Sequence, residues 1–126
     1  MTKFSKGVLT NDGAKGFFAR AREHARKLDR GEPIAPELVV SFENADDMLR
    51  LLSAERVRLL AVAKKRPVSV SELAIGLKRD TRAVSRDIDR LESFGLLQTR
   101  YEVNPGHGRR RIVEPQATRY RLVANI

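Results

Sequence analysis

Between Ser69 and Gly95 the chain carries two short helix signatures separated by a turn of a few residues, and this pair limits the architecture more than any other feature. Ser69-Val70-Ser71-Glu72 fits a capping box and opens a helix whose apolar side is Leu73, Ala74 and Leu77. Gly76 lies near its end, and Lys78-Arg79 form the turn. Asp80 can cap the next helix, whose apolar residues Val84, Ile88, Leu91 and Phe94 fall on one stripe. Gly95 stands at the C′ position, where a left-handed residue closes a helix. Two short capped helices joined this tightly have the geometry of a helix-turn-helix.

The flanks extend that unit. Asn44 caps a helix with Asp47 at its third position and Met48, Leu49, Leu51 and Leu52 on its buried side. Ser53 is a fresh N-cap, so a kink or short break is expected there. Residues 55–65 are predicted to bury Val57, Leu60 and Ala61, with Leu59, Val62 and Ala63 widening the face, until Pro67 discourages continuation. After Gly95, residues 96–103 read as a half-exposed strand, Asn104-Pro105-Gly106-His107-Gly108 as a turn, and Ile112-Val113 as pairing back. Tyr120, Leu122 and Ile126 suggest a further strand. The order is that of a winged helix-turn-helix. Upstream, Ala14, Phe17, Phe18, Ala21, Ala25 and Leu28 mark one face of a helix ending at Gly31, and residues 38–42 read as a strand. Residues 1–12 lack periodicity and are expected to fray. The predicted class is α+β, mainly α, with an N-terminal extension over 1–43 and a winged helix-turn-helix domain over 44–126.

Periodicity divides the second helix of the pair into two faces. Val84, Ile88 and Leu91 turn inward, while Thr81, Arg82, Ser85, Arg86 and Asp89 share the other side. A guanidinium fork matches the paired acceptors of guanine in the major groove, so Arg82 and Arg86 are the candidates for base contacts. Thr81 and Ser85 suit phosphate oxygens or base edges, and Arg79 in the turn suits phosphate. Asp89 would repel phosphate and is expected to pair with Arg86. Residues 106–111 would form the wing, with Arg109, Arg110 and Arg111 contacting phosphate or the minor groove. His107 reads as solvated. The alternative for Arg82 and Arg86 is an ordinary solvated helix face.

Charge supports a polyanionic partner. The 126 residues carry 25 Lys+Arg against 16 Asp+Glu, a formal net charge of +9. The excess is spread along the chain, which argues against a basic tail on a neutral enzyme. The chain has no cysteine and two distant histidines, His24 and His107, so neither a thiolate nucleophile nor a zinc site is expected. The sequence holds no glycine-rich phosphate loop and no Ser-His-Asp set, so catalysis and cofactors are not expected. Without a membrane-spanning segment or signal peptide, the expected location is the cytoplasm.

The run Arg79-Asp80-Thr81-Arg82-Ala83-Val84-Ser85-Arg86-Asp87-Ile88-Asp89-Arg90-Leu91-Glu92-Ser93-Phe94-Gly95-Leu96-Leu97 resembles the recognition-helix segment of MarR-like winged-helix regulators. Together with Gly31-Glu32-Pro33-Ile34-Ala35-Pro36-Glu37, Val40-Ser41-Phe42-Glu43 and Leu49-Arg50-Leu51-Leu52, it is similar to a family of small prokaryotic transcriptional regulators. The resemblance covers about residues 31–100; the wing is longer and richer in arginine than the family pattern. It implies double-stranded DNA as partner and autoregulation, and some such proteins are antitoxins that bind a cognate toxin. Phe17, Phe18, Leu28, Leu38, Val40 and Phe42 exceed what a core this small readily buries. The N-terminal third is therefore expected to form a homodimer or to dock a protein partner, the alternative being a helix folded back on its own domain. A non-specific architectural DNA binder is the rival reading, and RNA binding a weaker one.

Overall fold

Local sequence signals decide where the helices begin. In the computed structural model, which describes residues 3–126, four side chains cap helices as their positions predict. Asn44 accepts from the Asp47 amide at the start of α2 (Ala45–Leu51), and Ser53 from Arg56 at α3 (Ala54–Ala63). Ser69 accepts from Glu72 at α4 (Val70–Leu77), and Asp80 from Arg82 and Ala83 at α5 (Thr81–Ser93). Each cap satisfies an amide that the helix itself leaves unpaired.

Three helices end on one motif. Beyond α5, the Gly95 and Leu96 amides donate to the Glu92 and Leu91 carbonyls at 2.9 and 3.1 Å. Gly31 and Glu32 donate likewise to Leu28 and Lys27 beyond α1 (Gly13–Asp29), at 3.0 and 2.8 Å. Beyond α4, Lys78 and Arg79 donate to Ile75 and Ala74, at 3.1 and 3.0 Å. The motif needs a left-handed residue, and in this last case the residue is Lys78 with φ 54°. Its Cβ costs about 1–2 kcal/mol there, against roughly 0.5–1 kcal/mol of extra backbone entropy for glycine. Lys78→Gly should therefore raise the unfolding free energy by about 0.5–1 kcal/mol, the difference of those two effects. Urea denaturation of the two proteins measures it, and a lower midpoint for Lys78→Gly would contradict this account of the turn.

The strands form two sheets. One is antiparallel, in the order β3-β5-β4, from β3 (Val68–Ser69), β4 (Leu97–Val103) and β5 (Arg109–Pro115). The other is parallel, in the order β2-β1-β6, from β1 (Lys6–Thr10), β2 (Glu37–Ser41) and β6 (Tyr120–Val123). The protein thus has the α+β winged helix-turn-helix fold, and β4–β5 is the wing. Residues 6–10, expected to fray, instead form the central strand of the parallel sheet; residues 1 and 2 lie outside the described residues. Only Leu9 of this strand is a large side chain buried in the core, so its five residues give no period to read.

The core lies between the four helices α2–α5, the antiparallel sheet and one face of the parallel sheet. Leu59, Leu73, Val84, Ile88, Leu91, Leu96 and Val113 are almost fully buried, and Leu9, Leu38, Val40 and Tyr120 come onto them from the parallel sheet. Phe42 stacks on Phe94 with ring centroids 5.7 Å apart. The Tyr120 hydroxyl donates to the Leu96 carbonyl and accepts from the Gln116 and Ala117 amides, tying β6 to the end of the helical unit. Burial raises its pKa above the usual tyrosine value, and the two amides act against that rise. A Cβ at Gly7 would lie 2.9 Å from the Tyr120 ring, so glycine permits this approach.

Two helix faces differ from expectation. On α2, Met48, Leu51 and Leu52 are buried, as a helical period from Met48 requires, while Leu49 falls off that stripe and is exposed. On α3 the buried residues are Leu59, Leu60 and Ala63, whereas Val57 and Ala61 line a small cleft against Tyr120 and Leu122. Apolar residues fall on more than one side of α3, so the sequence offered two overlapping stripes, and packing against α4 and β5 decided between them.

Candidate nucleic-acid interface

Helix α5 presents its N-terminal half outward. Val84, Ile88 and Leu91 have no exposed surface, and Thr81, Arg82 and Arg86 on the other side are exposed. Among the described residues neither Arg82 nor Arg86 forms an ion pair, and the Arg86 Nε only grazes the Arg82 carbonyl at 3.5 Å. Their guanidinium groups are thus available to an external acceptor. Ser85 is half-buried and accepts from Arg111 Nη1 at 3.3 Å.

Of the other arginines proposed for contact, Arg79, Arg110 and Arg111 are already engaged. Arg79 places Nη1 2.8 Å from Asp87 and Nη2 3.2 Å from Glu55, and only 18% of its side chain is exposed. Asp87 also accepts from Arg56 Nε at 3.0 Å, and Arg56 Nη1 donates to the Arg50 and Leu51 carbonyls at 3.0 Å each. One carboxylate on α5 therefore holds the α2–α3 corner and the turn before α5 in register.

The wing residues separate in the same way. Arg109, Arg110 and Arg111 lie in strand β5 and not in the turn, so strand alternation sends successive side chains to opposite faces. Arg111 returns to α5, where Nη2 meets Asp89 at 2.7 Å and Glu92 at 3.3 Å, leaving 16% of its side chain exposed. Asp89 thus pairs with Arg111 and not with Arg86. The wing brings this cation within reach, and sequence spacing along α5 alone did not reveal it. Arg110 meets Glu102 across the hairpin at 2.6 Å, and Glu72 stands 3.8 Å away. Hydrogen bonds from Arg110 and then Arg100 hold the Glu102 carboxyl below the usual carboxylate range. Arg109 has its guanidinium 4.4 Å from the centre of the Tyr101 ring, and among the described residues it forms no ion pair.

The turn between the wing strands is closed by hydrogen bonds from Asn104 N to Gly108 O and from His107 N to Asn104 O. Gly106 and Gly108 both have positive φ, at 81° and 77°, so the tight tip depends on glycine at these positions. Between the start of α4, α5 and the wing lies an open cleft of about 400 Å³, bordered by Ser71, Ser85, Tyr101, His107, Arg109 and Arg110. Sequence reading did not bring Ser71 or Tyr101 to this face. The capping box at Ser69 was the available signal for Ser71, since it points the first turn of α4 toward the wing once the fold is known.

Fold and face together define a winged helix-turn-helix protein. The chain belongs to the HVO_A0114 family, whose sequence model matches residues 51–115, just over half of the chain. Among curated proteins none matches. A solved structure described as a "possible transcriptional regulator" from Methanosarcina mazei Go1 is similar over 59% of this chain and 66% of its own, with 21% identity and a TM-score of 0.47. The chain spans just under two thirds of that protein. Among the described residues, no helix is long and apolar enough to cross a membrane, and no group of three or more His, Cys, Asp or Glu residues could hold a metal ion.

Proposed function

We propose that this chain is a sequence-specific DNA-binding transcriptional regulator that reads the major groove with α5 and steadies itself on the backbone with its wing. The observation that carries the reading is the division among its arginines. Arg82 and Arg86 are exposed on the outward half of α5 and form no ion pair among the described residues, whereas Arg79 and Arg111 on either side are fixed by carboxylates. A surface selected only for solubility has no reason to hold rigid the flanks of two free guanidinium groups. Thr81, Ser85 and Arg109 complete the contact face, with Ser85 oriented by Arg111. Arg79, Arg110 and Arg111 set the positions of the turn and the wing while adding positive potential. Autoregulation and a cytoplasmic site of action accompany this reading, with 1–43 as an extension and 44–126 as the DNA-binding domain.

The MarR-like resemblance supports a second reading, an antitoxin that also binds a partner toxin. The outward Phe17 and Phe18 on α1 favour it to the extent that they offer a protein-binding surface. Fluorescence anisotropy on the protein's own upstream DNA and on a shuffled duplex, at two salt concentrations, tests the primary reading. Binding that survives added salt only on the native sequence is expected. Equal, salt-sensitive binding to both duplexes would mean an architectural binder instead.

A further inference from the structure

Helix α1 connects two parallel strands, a position in which a crossover helix ordinarily lays its apolar face on the sheet. Here the face laid down is charged. Arg20, Glu23, His24 and Lys27 are half-buried, while Phe17, Phe18, Ala21 and Leu28 are exposed. The sheet meets it in kind. Strand alternation turns Lys6, Val8 and Thr10 of β1, Glu37 of β2, and Arg121 and Val123 of β6 to the face away from the core. Between helix and sheet lies an open cleft of about 420 Å³ on whose border these groups meet.

The ion pairing in this cleft leaves an excess of cations. Glu37 meets Lys6 at 3.3 Å, and Asp12 meets Arg20 at 2.7 Å. Glu23 is taken by Arg26 at 2.9 Å and by Arg30 at 3.8 Å. The Arg26 hydrogen bond holds that carboxyl below the usual carboxylate range. All three acids are thus matched. Lys27 and His24 on the helix and Arg121 on the sheet also border the cleft, and among the described residues they form no ion pair. Thr10 adds a hydroxyl. Its Oγ1 accepts from the Asp12 amide at 3.1 Å, which leaves the hydroxyl proton to donate.

We propose that this cleft binds a phosphate monoester. Such a group carries about −1.5 to −2 charges at pH 7 and three acceptor oxygens. That suits two cations, an imidazole and a hydroxyl held on different elements, whereas a carboxylate offers two oxygens and one charge. The cleft is larger than a phosphoryl group, and Val8 and Val123 provide an apolar floor for the organic part. The site does not rest on the DNA-binding reading, since it lies apart from α5 and the wing. It stands on β6, the strand that Tyr120 ties to the Leu96 carbonyl beyond α5.

Calorimetric titration of the full chain with phenyl phosphate, inorganic phosphate and benzoate tests the proposal. Phenyl phosphate is expected to bind one-to-one, about tenfold more tightly than inorganic phosphate because its ring covers the two valines. It should exceed benzoate, which lacks an oxygen and a charge, by about the same factor. In NMR amide spectra it should shift Val8, Lys27 and Arg121 and leave Arg82 and Arg86 in place. Lys27→Gln and Arg121→Gln should each weaken phenyl phosphate about tenfold or more, the loss of one charge-assisted hydrogen bond. Their unfolding midpoints should stay near the wild type, because neither side chain holds an ion pair within the chain. Arg58→Gln, an equal change of charge at an exposed position on α3, should leave binding unchanged. No saturable binding, inorganic phosphate or benzoate equalling phenyl phosphate, shifts confined to α5 and the wing, or equal losses in all three variants would overturn the proposal.

Discussion

Replacing Asp87 with alanine should cost about 2–3 kcal/mol of stability, more than any other single charge removal on α5. The carboxylate is 13% exposed and is the shared partner of Arg56 and Arg79, themselves 23% and 18% exposed. Removing one member of a buried ion pair costs roughly 3–5 kcal/mol, because it strands the opposite charge in a poor solvent. The figure is lower here because both arginines keep other acceptors: the Arg50 and Leu51 carbonyls for Arg56, and Glu55 for Arg79. In a domain of this size that loss lowers Tm by about 10 °C. Asp89→Ala on the same helix is the control. Its carboxylate is 62% exposed, and Arg111 retains Glu92, so the cost should stay under about 1 kcal/mol. Thermal unfolding of the two variants side by side measures the contrast. Equal losses would show that Asp87 is no more than a surface partner.

That network also marks the boundary of what the sequence made legible. Apart from the faces of α2 and α3, what is encoded within one or two turns could be read. The caps at Asn44, Ser53, Ser69 and Asp80 act over three residues, the stripe from Val84 to Leu91 over two turns, and Gly31 and Gly95 each close the helix they follow. The wing was legible for the same reason, since turn residues separate two nearby strands. The parallel sheet was not, because residues 6–10 pair with 37–41 and 120–123, and no local period announces so distant a partner. The arginines raised the same difficulty at the interface. Arg79, Arg82, Arg86 and Arg111 are chemically alike in the sequence. Which of them is free depends on Glu55, Asp87, Asp89 and Glu92, carried on α3 and α5 and brought to them by the fold. Amphipathicity alone likewise could not orient α1. Its apolar stripe was plain, but the half-buried residues of the helix are instead Gly16, Arg20, Glu23, His24 and Lys27.

The largest functional effect should come from Arg82 and Arg86. A guanidinium bidentate to guanine contributes roughly 1–3 kcal/mol of discrimination, so each alanine variant should weaken binding to the native operator by about 5- to 150-fold. Binding to shuffled DNA should fall far less, because the lost energy is that of reading bases. Arg109→Ala provides the opposite pattern. Its guanidinium stands over Tyr101 with no ion pair among the described residues, so it is free to meet phosphate. Removing it should weaken both duplexes alike and reduce the salt slope by about one. Arg111→Ala separates contact from positioning. The side chain is committed to Asp89, Glu92, Ser85 and Thr99. Its loss should loosen the wing and lower Tm, with a smaller change in salt slope than Arg109→Ala gives. Anisotropy titrations of the four variants on both duplexes, at two salt concentrations, separate these outcomes. If Arg82→Ala and Arg86→Ala lose affinity equally on native and shuffled DNA, α5 grips the backbone and the base-reading role fails, however tightly the protein binds.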